Sequence, residues 1–151
     1  MDVPLKMDKE IIRSKLVRLN AHLTRIEDRR PEPLSKILTD LDVQDILSHN
    51  LEKAVQFCID IASHICAAHG RVPQTSSEAF LTLSELGIID GELAAKMVLA
   101  VGFRNVLVHE YAETNWAIVM KVVVDGIEDL KSFGKSIASL VSEPPPPGSR
   151  K

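Results

Sequence analysis

The segment from Gly91 to Val108 constrains the fold more than any other part of the chain. Its residues are apolar on nearly every side of a helical wheel, with Leu93, Met97, Val98, Leu99, Val101, Phe103, Val106 and Leu107 spread around the whole circumference. A helix that is apolar all round must be covered from more than one direction, so it belongs at the centre of a bundle, at the interface with a second copy, or both. Between Met97 and His109 the only charged side chain is Arg104. A guanidinium stays charged in any protein environment, so an Arg in such a run must reach water, a carboxylate or a bound phosphate.

The rest of the chain repeats the helical period. Met7–Arg29 places Ile11, Ile12, Leu16, Leu19, Leu23 and Ile26 at steps of three and four, and Pro31-Glu32-Pro33 then interrupts it. A second helix is expected from about Asp40–Asp42, where acids suit the N-terminal dipole, to His69, with Gly70 as the left-handed residue that ends it. Thr75-Ser76-Ser77-Glu78 has the form of a capping box opening a short helix that closes at Gly87. Asp90 caps the apolar helix, and Thr114 or Asn115 caps a last one running through Val141. The expected fold is an all-α antiparallel bundle of four main helices and a short fifth, occupying residues 1–143, with a disordered proline-rich tail at 144–151. Low aromatic content (4%) and a core of Leu, Ile, Val and Ala favour helix packing over a sandwich.

Composition excludes several classes. No run of eighteen apolar residues exists and Met1–Glu10 has no apolar leader region, so neither a membrane span nor a signal peptide is expected. Cys58 and Cys66 fall in an apolar helical pattern and read as buried thiols, which fits a reducing cytoplasm. The net charge of −3 argues against a general nucleic-acid binder, but charge is unevenly placed. Residues 1–30 hold eight cations against five acids, and residues 72–130 hold nine acids against three cations. The basic first helix reads foremost as a solvated face, with an RNA-steering surface or a dock for an acidic partner as alternatives. There is no glycine-rich phosphate loop, nucleophile elbow, paired-cysteine zinc pattern or helix-turn-helix, and no cofactor is expected.

Chemistry concentrates in Arg104-Asn105-Val106-Leu107-Val108-His109-Glu110-Tyr111. An imidazole that titrates near neutrality can take a proton from an attacking hydroxyl, and a guanidinium can hold the charge developing on phosphorus oxygens. Together they suffice to cleave a phosphodiester without a metal. Five residues of unbroken helix turn through about 500°, which leaves the two positions some 140° apart. Either the helix ends between them, or the site draws its Arg and His from two copies of the chain. Taken alone, His109 could equally serve the helix dipole at a C-terminus, and Arg104 could be a structural ion-pair partner. Asp60 and His64, four apart on one helix face, suit a salt bridge or metal ligation, but no third ligand lies at a suitable local spacing. Asp60 is expected instead to pair with a cation or bond across the bundle, with Arg104 as one candidate partner. His22, His49 and His69 read as exposed or helix-end residues, and Gly102 as a point of close helix contact.

Arg104, His109 and Tyr111 fill the three fixed positions of R-x4-H-x-Y, with Asn105 at the polar position after the Arg. Cys58–Ile65, Ser84–Ile89 and Phe103–Tyr111 extend the likeness, which runs from about Asp8 to Val141. On these residues the chain resembles the HEPN superfamily and, within it, the HepT-like proteins. Ala112 departs from the Trp that relatives often carry there, and Trp116 follows four residues later. The resemblance implies a metal-independent endoribonuclease toxin, acting as a homodimer on RNA, with Arg104, His109 and Asn105 as catalytic residues. It also implies neutralisation by a minimal nucleotidyltransferase antitoxin that transfers AMP to Tyr111. Superfamily members that only bind a nucleotide or substrate for a nucleotidyltransferase are the alternative; the intact Arg/His pair favours the enzyme.

Overall fold

The computed structural model describes residues 7–109 and 114–142, and all regular structure among them is helical. Helix α1 spans Lys9–Arg29, α2 Leu41–Ala68, α3 Ser76–Glu85 and α4 Gly91–His109. The last stretch is one winding rod: α5 (Trp116–Lys121), a π turn over Val122–Gly126, then α6 (Ile127–Ser142). Counted this way there are five helical segments, as expected, and a short 3-10 turn at Leu34–Leu38 fills the space after the prolines, where the periodicity gave no signal.

The caps follow from side-chain chemistry. Asp8 accepts from the backbone N–H of Glu10 and Ile11, Asp40 from Asp42 and Val43, and Asn115 from Ala117 and Ile118. At α3 the Thr75 hydroxyl accepts from Glu78 N–H, but the Glu78 carboxylate reaches one residue further back, to Gln74 N–H. Asp90 Oδ1 accepts from Leu93 N–H at 2.7 Å and starts α4. Gly70 and Gly87, at φ +76° and +75°, close α2 and α3 in the left-handed conformation that a Cβ disfavours.

The core lies where α1, α2, α4 and α6 meet. Ile12, Leu19, Ile26, Leu47, Ile61, Ile65, Met97 and Ile137 are fully enclosed, and Phe80 meets Phe133 edge to face at 5.4 Å, joining α3 to α6. Lys131 Nζ and Glu27 Oε2, 2.6 Å apart, tie α6 to α1 at the surface. Cys58 is buried, with its thiol pushed well up by desolvation, and both cysteines are free. No helix among the described residues is long and apolar enough to cross a membrane.

Only part of α4 is covered. Ala94, Met97 and Val101 face the core, whereas Leu99 is 74% exposed and Val106 46%. Ala95, Leu99, Gly102 and Val106 recur at steps of four and three, so they form a second, open stripe on the same helix. Gly102 therefore does not mediate a close contact within the chain: a Cβ there would meet nothing within 4 Å.

Candidate active site

Arg104 occupies the position that continues the core stripe Ala94–Met97–Val101, steps of three and four placing it next in line. A cation at a core register cannot enter the apolar centre, and this one turns onto α2. Its Nη2 donates to Gln56 Oε1, and its Nη1 donates to Asn105 Oδ1 at 3.1 Å. Gln56 in turn donates from Nε2 to Asp60 Oδ1 at 2.9 Å, and Asp60 Oδ2 lies 3.9 Å from Lys15 Nζ. Asp60 thus reaches Arg104 only through Gln56, while its charge is directed toward Lys15. Both acceptors at the guanidinium are neutral amides. Among the described residues no carboxylate pairs with it, and its two described side-chain partners hold the guanidinium through neutral oxygens. Its Nε is buried with no partner among the described residues. An unmet buried donor of this kind costs about 1–3 kcal/mol, which a fold tolerates when the rest of the group has another purpose.

His109 is the last residue of α4, which runs unbroken from Gly91. The helix does not end between Arg104 and His109, which removes the first of the two routes to convergence. His109 continues the register of the open stripe Ala95–Leu99–Gly102–Val106 by one further step of three, whereas Arg104 continues the core stripe. Tyr111 lies outside the described residues. Asn105 is exposed and orients Arg104 by the bond already given.

His64 does not join this group. Its Nε2 accepts from Asp8 N–H at 3.3 Å, which fixes the start of α1 against α2. Among the described residues no three His, Cys, Asp or Glu side chains cluster as metal ligands. His22, read from sequence as an exposed or end residue, is half-buried; it contacts Asn50 at 2.8 Å and stacks on Phe57. Gln56 was missed by sequence reasoning. A glutamine within an amphipathic helix carries no signal until its partner on another helix is known.

Comparison with known proteins shows the family. The family model described as "Ribonuclease HepT-like" matches residues 19–137. The mRNA nuclease HepT of Shewanella oneidensis is 33% identical over 125 residues, covering 82% of this chain and 93% of that protein. The tRNA nuclease HepT of Aphanizomenon flos-aquae is 31% identical over 130 residues, covering 85% and 88%. A tri-AMPylated HEPN toxin of Shewanella oneidensis, solved in complex with MNT antitoxin, superposes with a TM-score of 0.80 at 32% identity, covering 85% of this chain and 97% of that one. A toxin–antitoxin structure containing AMP-PNP gives 0.80 at 30% identity, covering 86% and 98%. The chain belongs to the ribonuclease HepT-like family of the HEPN superfamily, and it is a ribonuclease of the toxin–antitoxin class.

Proposed function

We propose that this chain is a metal-independent endoribonuclease whose active site is shared between two copies, each supplying Arg104 and His109. The observation that carries it is the guanidinium of Arg104, held by two neutral amide oxygens and, among the described residues, by no carboxylate. A carboxylate partner would have marked a structural ion pair. An amide-held arginine is what a phosphate needs, because it offers a planar fork with little reorganisation.

The reaction follows from these groups. One His109 imidazole accepts the proton of a ribose 2′-hydroxyl as its oxygen attacks the adjacent phosphorus. Arg104 stabilises the charge on the non-bridging oxygens, with Asn105 fixing its orientation. The bond from phosphorus to the 5′-oxygen breaks, and the second copy's His109 protonates that leaving oxygen. The products are a 2′,3′-cyclic phosphate and a 5′-hydroxyl end. The register of α4 supports the two-copy arrangement: positions 104 and 109 on one unbroken helix differ by about 140°, and the stripe that leads to His109 is the one left uncovered.

The nucleotidyltransferase antitoxin is the second partner. Its reaction joins the Tyr111 phenol oxygen to the α-phosphorus of ATP, with pyrophosphate leaving. On this reading the added phosphate competes with substrate phosphate for Arg104. At about 4 Å and an effective dielectric near 20 the attraction is roughly 4 kcal/mol, enough to exclude RNA. Expression of the chain alone should arrest growth with cleaved cellular RNA, and co-expression of the antitoxin should prevent both. Cleavage by the purified chain should persist in EDTA; a requirement for divalent metal would overturn the mechanism.

A further inference from the structure

One basic surface plays no part in the chemistry above. Along α1, Lys15, Arg18, His22, Arg25 and Arg29 recur at steps of three, four, three and four, so they form a single stripe beside the core stripe. At 1.5 Å per residue the stripe is about 21 Å long. It borders a groove between α1 and α2, with hollows of about 720 Å³ around His22, Arg25 and Arg29 and about 360 Å³ around Lys15, Arg18 and Phe57. Arg18, Arg25 and Arg29 form no ion pair among the described residues.

The floor of the groove is aromatic. The Phe57 and His22 rings stack at 5.7 Å with 24° between their planes, and Lys15 Nζ lies 6.0 Å from the Phe57 centroid. Asn50 donates from Nδ2 to Ile46 C=O, so its Oδ1 faces His22 and accepts from Nδ1–H. This fixes the tautomer and leaves Nε2 as the free nitrogen. The groove connects to the active site through a continuous series of contacts: Arg104 to Gln56, Gln56 to Asp60, Asp60 to Lys15, Lys15 to Phe57.

We infer that the α1–α2 groove is the binding track for the single-stranded RNA that enters the Arg104 site, with Arg18, Arg25 and Arg29 on successive phosphates and the Phe57–His22 pair as a base-stacking platform. The inference rests on the ribonuclease reading above and extends it from the scissile bond to the flanking nucleotides. Cations that track a backbone beside rings on which bases stack are the features single-strand binders combine, and a groove of this length holds about four nucleotides. An acidic protein partner would use the arginines but would leave the ring platform unexplained. Asp28, on α1 like the arginines, also lines the wider hollow, and Glu10, paired with Arg13, lines the narrower one, so the cations outnumber the acids along the track.

The test uses the full chain with Arg104 and His109 intact, and a fluorescent 2′-O-methyl RNA of about twelve nucleotides, which cannot be cleaved for lack of the attacking hydroxyl. Fluorescence anisotropy over a salt series should show the triple variant Arg18→Ala, Arg25→Ala, Arg29→Ala binding about 10–100-fold more weakly. Loss of three phosphate contacts should also flatten the salt dependence by about 2 in log–log slope. Phe57→Leu, which keeps apolar bulk but removes the ring, should weaken binding about tenfold with the salt slope unchanged. Unchanged affinity and slope in the triple variant overturn the track, as does a triple variant that binds RNA normally but loses its antitoxin. Failure of the ribonuclease reading shows separately, as unmodified RNA that the wild-type chain leaves intact.

Discussion

At the scale of single residues, what distinguishes Arg104 is the kind of partner it has. Amide oxygens orient a guanidinium without neutralising it, so Arg104→Ala and His109→Ala should each reduce cleavage by about 10² to 10⁴ while the far-ultraviolet circular dichroism and thermal midpoint stay unchanged. Arg104→Lys should fail almost as badly, because an ammonium has no planar fork for two phosphate oxygens. Gln56 accepts from Arg104, and in the proposed site it acts as a positioning residue. Gln56→Leu should lower kcat about tenfold with a small change in KM. Gln56→Glu, which brings a carboxylate to the guanidinium, should be slower still. If both variants match wild type in single-turnover cleavage, Gln56 has no part in the site. In the sequence Arg104 stands out because a charge in an apolar run needs a reason, and Asn105 and His109 stand out by their places in the R-x4-H-x-Y pattern. Gln56 does not. Asp60 pairs with a cation, as expected of it, but the cation is Lys15, and Asp60 reaches the candidate Arg104 only through Gln56.

At the scale of elements, boundaries were legible wherever a side chain terminates a helix. Asp40, Thr75, Asp90 and Asn115 each cap where the sequence suggests, and Asp8 caps α1 one residue inside the apolar pattern that begins at Met7. The features that were not legible lack such a marker. The Leu34–Leu38 turn is too short to show a period, and the π turn at Val122–Gly126 inserts into a helix whose sequence looks continuous. Gly70→Ala should cost about 1 kcal/mol, measured by urea denaturation, because φ +76° is strained for any side chain even though space is open there. A cost near zero would mean that the α2 terminus relaxes into another turn. Cys58 should resist alkylation in the native chain, since burial holds the thiol in its protonated, unreactive form.

At the scale of the whole molecule, α4 carries two stripes with different fates. One is consumed by the chain's own core and ends in Arg104; the other remains open and leads to His109. This division explains why the helix reads as apolar all round, and the proposed two-copy site builds on it. Control should act at the same place. Tyr111→Phe should retain most cleavage activity yet escape enzymatic neutralisation by the antitoxin, with mass spectrometry of the co-purified pair showing adenylate on the wild-type chain alone. Equal silencing of the Phe variant would mean that inhibition works through binding. The shared site itself is tested by mixing subunits. A dimer of one wild-type chain and one Arg104→Ala/His109→Ala double-variant chain keeps one Arg104 and one His109 but lacks the second imidazole that the reaction uses. When wild-type chain is unfolded and refolded with a tenfold excess of the double variant, cleavage per wild-type chain should fall about tenfold, the remainder coming from wild-type pairs. Mixed dimers that form, as shown by native mass spectrometry, while cleavage per wild-type chain stays unchanged would contradict a site shared across the two chains.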